Sequence, residues 1–278
     1  MSTRNHFANV GKLARMPRSN PESIGAKTTP AGRHREVPAV RRACETLWLL
    51  ARHPEGLPLS RVARELDIIP STSLHILREL GVGRLVTHDA NTKLYRLGSG
   101  VLSLGRELTQ QNPFVQLAQP HLSRLSRDFE VGASGQERDG EDEMVVVVAA
   151  SVTPGDMVSP GGRTPLLIGA TGRLMAALGD FDEAELRRRF SKLRWQDAPT
   201  VKVWLEEVRG ARSTGYAVDE GHFRKGITAI AAPVLNADGS AARTISVTGI
   251  SAQLDDAKRK KLALAVKNAA AEITRLLR

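Results

Sequence analysis

The stretch IPSTSLHILRELG, residues 69–81, repeats its small and apolar side chains at helical spacing. At about 100° per residue, Ser73, Leu77 and Leu80 project to one side, and polar or charged side chains project to the other. The pattern predicts a helix over about residues 71–80. Taken alone, it fits two structures equally: an ordinary helix with a solvated outer face, and a helix whose outer face binds another molecule.

The flanking sequence decides between these two interpretations. Residues 40–50 and 59–66 show two further amphipathic helical patterns, with a Pro/Gly break between them. Residues 85–88 and 94–97 are strand-like and enclose turn-forming residues at 89–93. Three short helices followed by a hairpin are typical of a winged helix-turn-helix, in which the third helix enters the major groove of DNA and the wing lies along the backbone.

The outer face of the third helix carries side chains suited to DNA. His75 and Arg78 can donate hydrogen bonds to guanine or phosphate, and Thr72 offers a hydroxyl and a methyl group. Glu79 repels phosphates unless it is paired, and Ser71 or Thr72 is predicted to be the N-cap. For the domain over residues 37–98 we predict these DNA-binding residues: Arg42, Ser60, Arg61, Ser71, Thr72, Ser73, His75, Arg78, Lys93 and Tyr95.

Charge is concentrated at the front of the chain. Residues 1–98 hold 16 Lys and Arg against 8 Asp and Glu, a net charge of +8, whereas residues 99–278 hold 24 against 22. A module that binds a polyanion would show this asymmetry, although a basic tail beside a neutral domain would show it too. Residues 1–36 are predicted to be a flexible basic arm that either contacts phosphates or is only an overlong start.

Composition favours a reduced, soluble, cytoplasmic protein. The hydrophobic fraction of 41% is sufficient for real cores, and the longest apolar run, Met144–Ala150, is no longer than a strand. The single Cys44 excludes a disulfide within the chain and a cysteine-based zinc site. The first 36 residues lack the hydrophobic stretch of a secretory signal.

The remaining sequence predicts a linker helix and a second domain. Residues 99–112 are predicted to form the linker helix, with Val101, Leu104 and Leu108 on one stripe. Residues 113–278 mix helical patterns with antiparallel hairpins, which indicates an α+β fold. A final helix spaces its apolar residues at 4, 3, 4 and 3, and we expect this stripe to pack on the domain's own sheet.

Catalytic signatures are absent from the sequence. It contains no G-x-S-x-G, no phosphate-binding G-x-x-x-x-G-K and no H-E-x-x-H motif. Asp219, Glu220 and His222 suggest either a carboxylate–imidazole site or a polar loop between a helix and a strand, and the loop is the favoured interpretation. We therefore predict no enzymatic activity, no metal and no cofactor.

The chain resembles IclR-type transcriptional regulators over about residues 37–277. The stretches that carry the resemblance include VPAVRRACETLWLLA, LPLSRVARELDIIPSTSLHILREL, KLYRLGSGVLSLG and GGRTPLLIGATGRLMAA. STGYAVDEGHFRKGITAIAAPVLNADGSAARTISVTG is the most specific of them. The resemblance implies a winged helix-turn-helix joined to a GAF-like effector-binding domain with an antiparallel sheet.

The resemblance also implies an effector pocket on the C-terminal sheet. Free N–H groups at Ala170, Thr171 and Gly172 could hold a carboxylate there, while Arg163 either adds charge or pins the loop. The implied pocket residues are Gly162, Arg163, Leu166, Ala170, Thr171, Asp219, Glu220, Ala229 and Ser246.

Some positions depart from the family pattern. His75 and Glu79 replace a usual arginine and a small hydroxyl residue on the third helix, and Pro58 replaces an N-cap serine. In the pocket region, Leu167, Arg173 and Ala229 stand where histidine, lysine and cysteine are frequent. These departures affect the operator sequence and the pocket chemistry, but not the fold.

We therefore predict a DNA-binding transcriptional regulator controlled by a small-molecule effector, an organic acid or an aromatic metabolite. One winged helix-turn-helix buries too little surface for tight specific binding, so a homodimer or a dimer of dimers on double-stranded operator DNA is expected. The alternative is a small-molecule-binding protein or enzyme whose basic N-terminal module is incidental.

Overall fold

The computed structural model describes residues 36–151 and 159–278. The predicted basic arm, residues 1–36, therefore lies outside the described residues except for Glu36. Among the described residues, no helix is both long enough and apolar enough to cross a membrane.

The N-terminal domain consists of three helices and a small antiparallel sheet. Its strand order is β1-β3-β2, and its core contains Leu50, Val62, Leu77 and Leu80. The elements are α1 Pro38–Ala51, β1 Leu57–Pro58, α2 Leu59–Glu65, α3 Pro70–Val82, β2 Val86–His88 and β3 Leu94–Leu97. This is the predicted winged helix-turn-helix, with the additional strand β1, which is too short to leave a pattern in the sequence.

Helix α3 begins one residue earlier than predicted. Its N-cap is Ile69, and Pro70 occupies the first helical position, so the prediction of Ser71 or Thr72 as N-cap is wrong. Proline favours this position because its φ angle already suits a helix and its missing N–H would have no intrahelical partner there. Ser71 and Thr72 consequently lie within the first turn.

The wing between β2 and β3 is held by Asp89. Its Oδ1 accepts hydrogen bonds from the backbone N–H of Asn91 at 2.9 Å and of Thr92 at 3.1 Å. These bonds lower the pKa of Asp89, with the Thr92 N–H as the largest cause. Lys93 completes the turn with φ +58°, and its N–H donates to the Asp89 carbonyl at 2.8 Å.

Helix α4, Ser99–Gln110, occupies the predicted linker region. Among the described residues it buries no side chain, and Leu102, Leu104 and Leu108 are 78%, 63% and 71% exposed. Helix α5, Pro113–Phe129, follows, and Asn112 caps it by accepting the N–H of Phe114 at 3.0 Å.

The C-terminal domain is built on a six-stranded antiparallel sheet in the order β6-β5-β4-β9-β8-β7. Its strands are β4 Gly132–Asp139, β5 Glu143–Ala150, β6 Arg163–Pro165, β7 Ala217–Glu220, β8 Ile227–Leu235 and β9 Ala241–Ile250. Its helices are α5 Pro113–Phe129, α6 Gly169–Leu178, α7 Glu183–Phe190, α8 Val201–Thr214 and α9 Asp256–Leu277. The mixed α+β class with an antiparallel sheet is thus confirmed.

Helices cover both faces of this sheet because alternate strand residues are apolar on each side. Helices α5 and α9 pack on one face around Leu122, Ile230 and Val247, and the predicted C-terminal stripe, including Leu262 and Ile273, is buried there. On the other face α6 packs against the sheet and α8 packs against α6, around residues that include Leu174, Trp204 and Ala231.

Candidate functional site

A cavity lies between the start of α6 and the sheet. Its volume is about 80 Å³, several times the roughly 10–15 Å³ that one water molecule needs. Strands β4 to β9 and the loop after β7 contribute to its wall. The lining residues are Gln136, Val146, Gly162, Thr164, Ile168, Gly169, Ala170, Thr171, Asp219, Phe223, Arg224, Ile227, Ala229, Ser246 and Thr248.

The N-terminus of α6 faces this cavity. Gly169, Ala170 and Thr171 are its first three residues, so their backbone N–H groups have no acceptor within the helix. Gly172 allows the close approach of the preceding turn, since a Cβ atom there would lie 2.0 Å from the carbonyl carbon of Leu167. The partial positive charge of a helix start favours an anion at this end of the cavity.

A buried arginine holds the cavity wall together. Arg173 donates from Nη1 to Asp219 Oδ1 at 2.8 Å and to the Gly169 carbonyl at 2.9 Å. Its Nε donates to Glu207 Oε2 at 2.8 Å, and its Nη2 lies 3.2 Å from His222 Nδ1. One guanidinium thus joins α6, α8, β7 and the loop after β7, and its rigid fork suits this geometry.

Both carboxylate oxygens of Asp219 are engaged by the protein. Oδ1 accepts from Arg173, and Oδ2 accepts the backbone N–H of Phe223 at 3.0 Å. The negative charge of Asp219 is therefore balanced inside the wall, and the cavity does not present it as an unpaired charge to a ligand. Arg224, whose pKa is lowered by burial, adds a cationic side chain to the same wall.

Six predicted pocket residues line the cavity: Gly162, Ala170, Thr171, Asp219, Ala229 and Ser246. Asp219 pairs with Ala229 and Glu220 pairs with Thr228. Residues 219–220 therefore form the end of the edge strand β7 and not the predicted polar loop. The ligand-binding role of these residues stays a prediction.

Three predicted pocket residues, Arg163, Leu166 and Glu220, lie outside the cavity lining. Leu166 is buried in the core around α6. Glu220 is exposed and pairs with Arg259 at 2.9 Å.

Arg163 pins strand β6, whereas the alternative interpretation of this residue was that it pins a loop. It pairs with Asp139 and, at 2.9 Å, with Glu143, and these contacts hold β6 against the neighbouring hairpin. Burial alone lowers the pKa of Arg163, but hydrogen bonds to the two carboxylates more than compensate, and the pKa is raised.

Sequence reasoning missed several cavity residues. Gln136 and Thr248 lie on inner strands, where strand alternation alone could have indicated which face they occupy. Phe223 and Arg224 lie in the irregular segment between β7 and β8, which has no periodicity to indicate its direction. Arg173 appeared in the sequence only as a departure from the family pattern. Among the described residues, no His, Cys, Asp and Glu cluster is suited to a metal ion.

The outer face of α3 is exposed as predicted at Ser71, His75 and Arg78, with Thr72 half-buried beside them. Two predicted DNA-binding residues are instead buried. Ser73 is 1% exposed because it lies on the inner stripe of α3. Tyr95 is buried in the core and its ring stacks on His88, with ring centroids 4.4 Å apart.

The other predicted DNA-binding residues lie at or near the surface. Ser60 and Lys93 are exposed, and Arg42 is half-buried. Arg61 forms an ion pair with Glu65 at 2.7 Å along α2. DNA contact by these residues stays a prediction.

The positive charge of the front third lies mostly outside the described residues. Residues 36–98 hold nine Lys and Arg against seven Asp and Glu, a net charge of +2. Residues 1–35 hold seven against one, a net charge of +6. The winged helix-turn-helix itself is thus only weakly basic.

Comparison with known proteins places this architecture among bacterial regulators. Residues 107–275 match the family model described as the bacterial transcriptional regulator IclR C-terminal domain. The chain is 28% identical over 262 residues to the HTH-type transcriptional regulator BhcR of Paracoccus denitrificans, covering 93% of this chain and 92% of that protein.

This chain aligns with two solved structures of the same fold over nearly the whole length of those structures. An IclR transcriptional regulator from Alicyclobacillus acidocaldarius superposes with a TM-score of 0.75 at 25% identity, covering 87% of this chain and 99% of the other. An IclR homologue from Microbacterium hydrocarbonoxydans, complexed with 4-hydroxybenzoate, gives a TM-score of 0.71 at 16% identity, covering 85% and 98%.

Proposed function

This chain belongs to the IclR family of bacterial transcriptional regulators, and we propose that it binds operator DNA through α3 and the wing under the control of a small molecule in the cavity beneath α6. The family model and the similar proteins are those of transcriptional regulators, so the alternative of a small-molecule-binding protein or enzyme with an incidental basic N-terminal module is not retained. The observation that carries the proposal is the combination, in one chain, of an exposed recognition helix and a cavity at a helix N-terminus.

The α3 surface supports the DNA-binding part of the proposal. His75 and Arg78 are exposed on the face opposite to the buried Ser73 and Leu77. A helix held down on one side and polar on the other can enter the major groove without disturbing the domain core. His75 is the candidate for reading a base, and Lys93 at the wing tip is the candidate for a phosphate contact.

The cavity supports the effector part of the proposal. The free N–H groups at the start of α6 favour a carboxylate, and Asp219 does not repel one because its charge is paired with Arg173. Val146, Ile227 and Ala229 supply apolar wall on the sheet side. A small organic acid matches this combination of one anion-binding end and apolar walls.

The exposed linker helix supports self-association. Leu102, Leu104 and Leu108 expose most of their side chains on α4. An isolated helix with exposed leucines gains stability by burying them against a second copy. We propose a dimer through α4, which would present two recognition helices to a two-fold operator.

A hydrogen-bonded chain supports communication between the cavity and the linker. Asn112, at the junction of α4 and α5, donates from Nδ2 to Glu137 Oε2 at 3.0 Å, and Arg243 Nε donates to Glu137 Oε1 at 2.7 Å. Glu137 directly follows the cavity residue Gln136 on β4. A ligand that shifts β4 would thereby favour one arrangement of the linker, provided that it binds the two arrangements with different affinity.

The test is a DNA titration with and without candidate ligands. DNA selected from a random library by the full-length protein should compete far better than unselected DNA in a gel shift. Small organic acids should raise the apparent stability in a thermal-shift panel by mass action and should change the affinity for the selected DNA. Failure to select any sequence, in the presence or absence of the acids, would contradict the proposal.

A further inference from the structure

The wall of the cavity contains a buried amide whose oxygen has no partner. Gln136 on β4 is only 9% exposed and lines the cavity, and its Oε1 accepts no hydrogen bond from the described residues. Its Nε2 lies 3.5 Å from Ser246 Oγ, at the outer limit of a hydrogen bond, and that hydroxyl already shares a 3.0 Å bond with Ser134. A buried acceptor left without a donor is unfavourable, so this one requires explanation.

The backbone around Gln136 positions it for a ligand. The register between β4 and β5 shifts between Gly135 and Gln136, and irregularities of this kind re-aim side chains beside binding sites. Gly135 is required for the packing there, because a Cβ atom would lie 2.6 Å from Val148 and 3.0 Å from Phe114. The terminal torsion of glutamine is broad, so the amide can turn its oxygen toward a bound molecule at low cost.

The two polar parts of the cavity differ in chemistry. The start of α6 offers only donors, the N–H groups of Gly169, Ala170 and Thr171. Gln136 offers an acceptor that cannot itself donate, unlike the neighbouring hydroxyls of Ser246 and Thr171, which pair with Ser134 and Thr244. Hydroxyls adapt to either kind of ligand group by rotating, whereas the amide oxygen can only accept, and it is the oxygen that lacks a partner while Nε2 is directed at Ser246 Oγ.

We infer that Gln136 selects, among carboxylates, those that carry a second group able to donate a hydrogen bond, such as a hydroxyl or an N–H. The carboxylate lies at the start of α6 and the donor group reaches Gln136 Oε1. This inference rests on the proposed effector function and specifies the ligand class. A ligand lacking the donor leaves the amide oxygen unpaired, which is the situation in which binding sites discriminate strongly.

The experiment compares acids that differ by one hydroxyl. Isothermal titration measures the affinity of the full-length protein for acetate and glycolate, propionate and 3-hydroxypropionate, and benzoate and 4-hydroxybenzoate, which vary the spacing between the two groups. The variants are Gln136→Met, which keeps the size and removes the acceptor, and Gln136→Glu, which keeps an acceptor but adds a charge. Gln253→Met is the control on an exposed glutamine.

Wild-type protein and the Gln253→Met control should bind the hydroxy acid of at least one pair roughly tenfold more tightly than its partner. Gln136→Met should reduce this preference to within about twofold and should not lower the melting temperature of the free protein, since it removes an unpaired acceptor. Gln136→Glu should bind both acids of the pair more weakly but keep the preference.

Three outcomes would overturn the inference. The first is a Gln136→Met protein that keeps the preference for the hydroxy acid. The second is a Gln136→Glu protein that loses this preference, and this outcome is decisive if Gln136→Met does not fold. The third is a wild-type protein that binds none of the acids, or that binds the two acids of every pair equally. Selective DNA binding in the titration described above would still hold in each case, so failure of the ligand class is distinguishable from failure of the regulator function.

Discussion

Arg173 and Asp219, 46 residues apart in sequence, form a buried ion pair with an Nη1–Oδ1 distance of 2.8 Å. Their side chains are 1% and 2% exposed. Asp219 in turn accepts the N–H of Phe223, so the pair sets the position of the loop that closes the cavity. A buried pair contributes little net stability over an apolar replacement, but removing one partner leaves an uncompensated charge.

Arg173→Met should therefore destabilise the protein by about 3–5 kcal/mol, because it leaves Asp219 buried and unpaired. Arg173→Lys should recover only part of this loss, since an ammonium group cannot reproduce the bonds to Glu207, Asp219 and Gly169 together. Urea denaturation followed by circular dichroism measures both. Arg187→Met, which breaks an exposed pair with Glu183, is the control and should cost less than about 1 kcal/mol. Equal losses for Arg173→Met and the control would contradict the structural role.

His75→Ala should reduce the preference for the selected operator by about 1–3 kcal/mol relative to unselected DNA if the imidazole contacts a base. The measurement is fluorescence anisotropy on both DNAs at one fixed salt concentration. Equal weakening on the two DNAs would show that His75 contacts only the backbone.

Lys93→Ala should weaken binding similarly on all DNAs and make the negative slope of log K against log salt shallower by about 1, as expected for the loss of one phosphate contact. Lys93 lies at the wing tip, where its backbone is held by Asp89. Lys202→Ala, on the exposed surface of α8, removes the same charge away from the wing and should leave the slope unchanged. If the slope does not change in Lys93→Ala, the wing tip is excluded from the DNA interface.

Leu104→Arg combined with Leu108→Arg should disrupt self-association, because two charges would replace side chains that a second copy is proposed to cover. Sedimentation velocity should show a lower mass than for the wild type, and affinity for selected DNA should fall at least about tenfold because two-site binding is lost. Val203→Arg, at an exposed valine on α8, is the matched control. An unchanged mass would exclude α4 as the interface.

Glu137→Gln should weaken the coupling between ligand binding in the cavity and DNA binding. The change weakens the charge-assisted bonds from Arg243 and Asn112 while leaving α3 and the cavity lining intact. We expect the effect of a bound acid on DNA affinity to fall by about 0.5–2 kcal/mol, with each ligand's separate affinity nearly unchanged. DNA titrations with and without the acid that stabilises the wild type most provide the measurement, and Glu183→Gln is the control. Full coupling in Glu137→Gln would exclude this route.

The amphipathic pattern of residues 69–81 was sufficient to predict helix α3 and its two faces. The same reasoning predicted the wing, the linker helix and the C-terminal stripe, because each depends on local spacing that shows which side chains leave water. It placed Ser73 on the inner side of the helix, and the structure buries it there, although Ser73 was also included among the DNA contacts. The predicted N-cap, Ser71 or Thr72, is wrong because Pro70 takes the first helical position and the helix starts before both of them.

The arrangement of the cavity wall depends on contacts between residues far apart in sequence, which no local pattern predicts. Arg173 meets Asp219 across 46 residues, and Gln136 approaches Ser246 across 110. Arg163 was open to two roles in the sequence, and only the position of β6 beside Asp139 and Glu143 assigns it to pinning the strand. Periodicity in a sequence records the separation of apolar side chains from water within one element. The pairing of polar groups between elements depends on where the sheet brings them together, and so it was decided only by the tertiary structure.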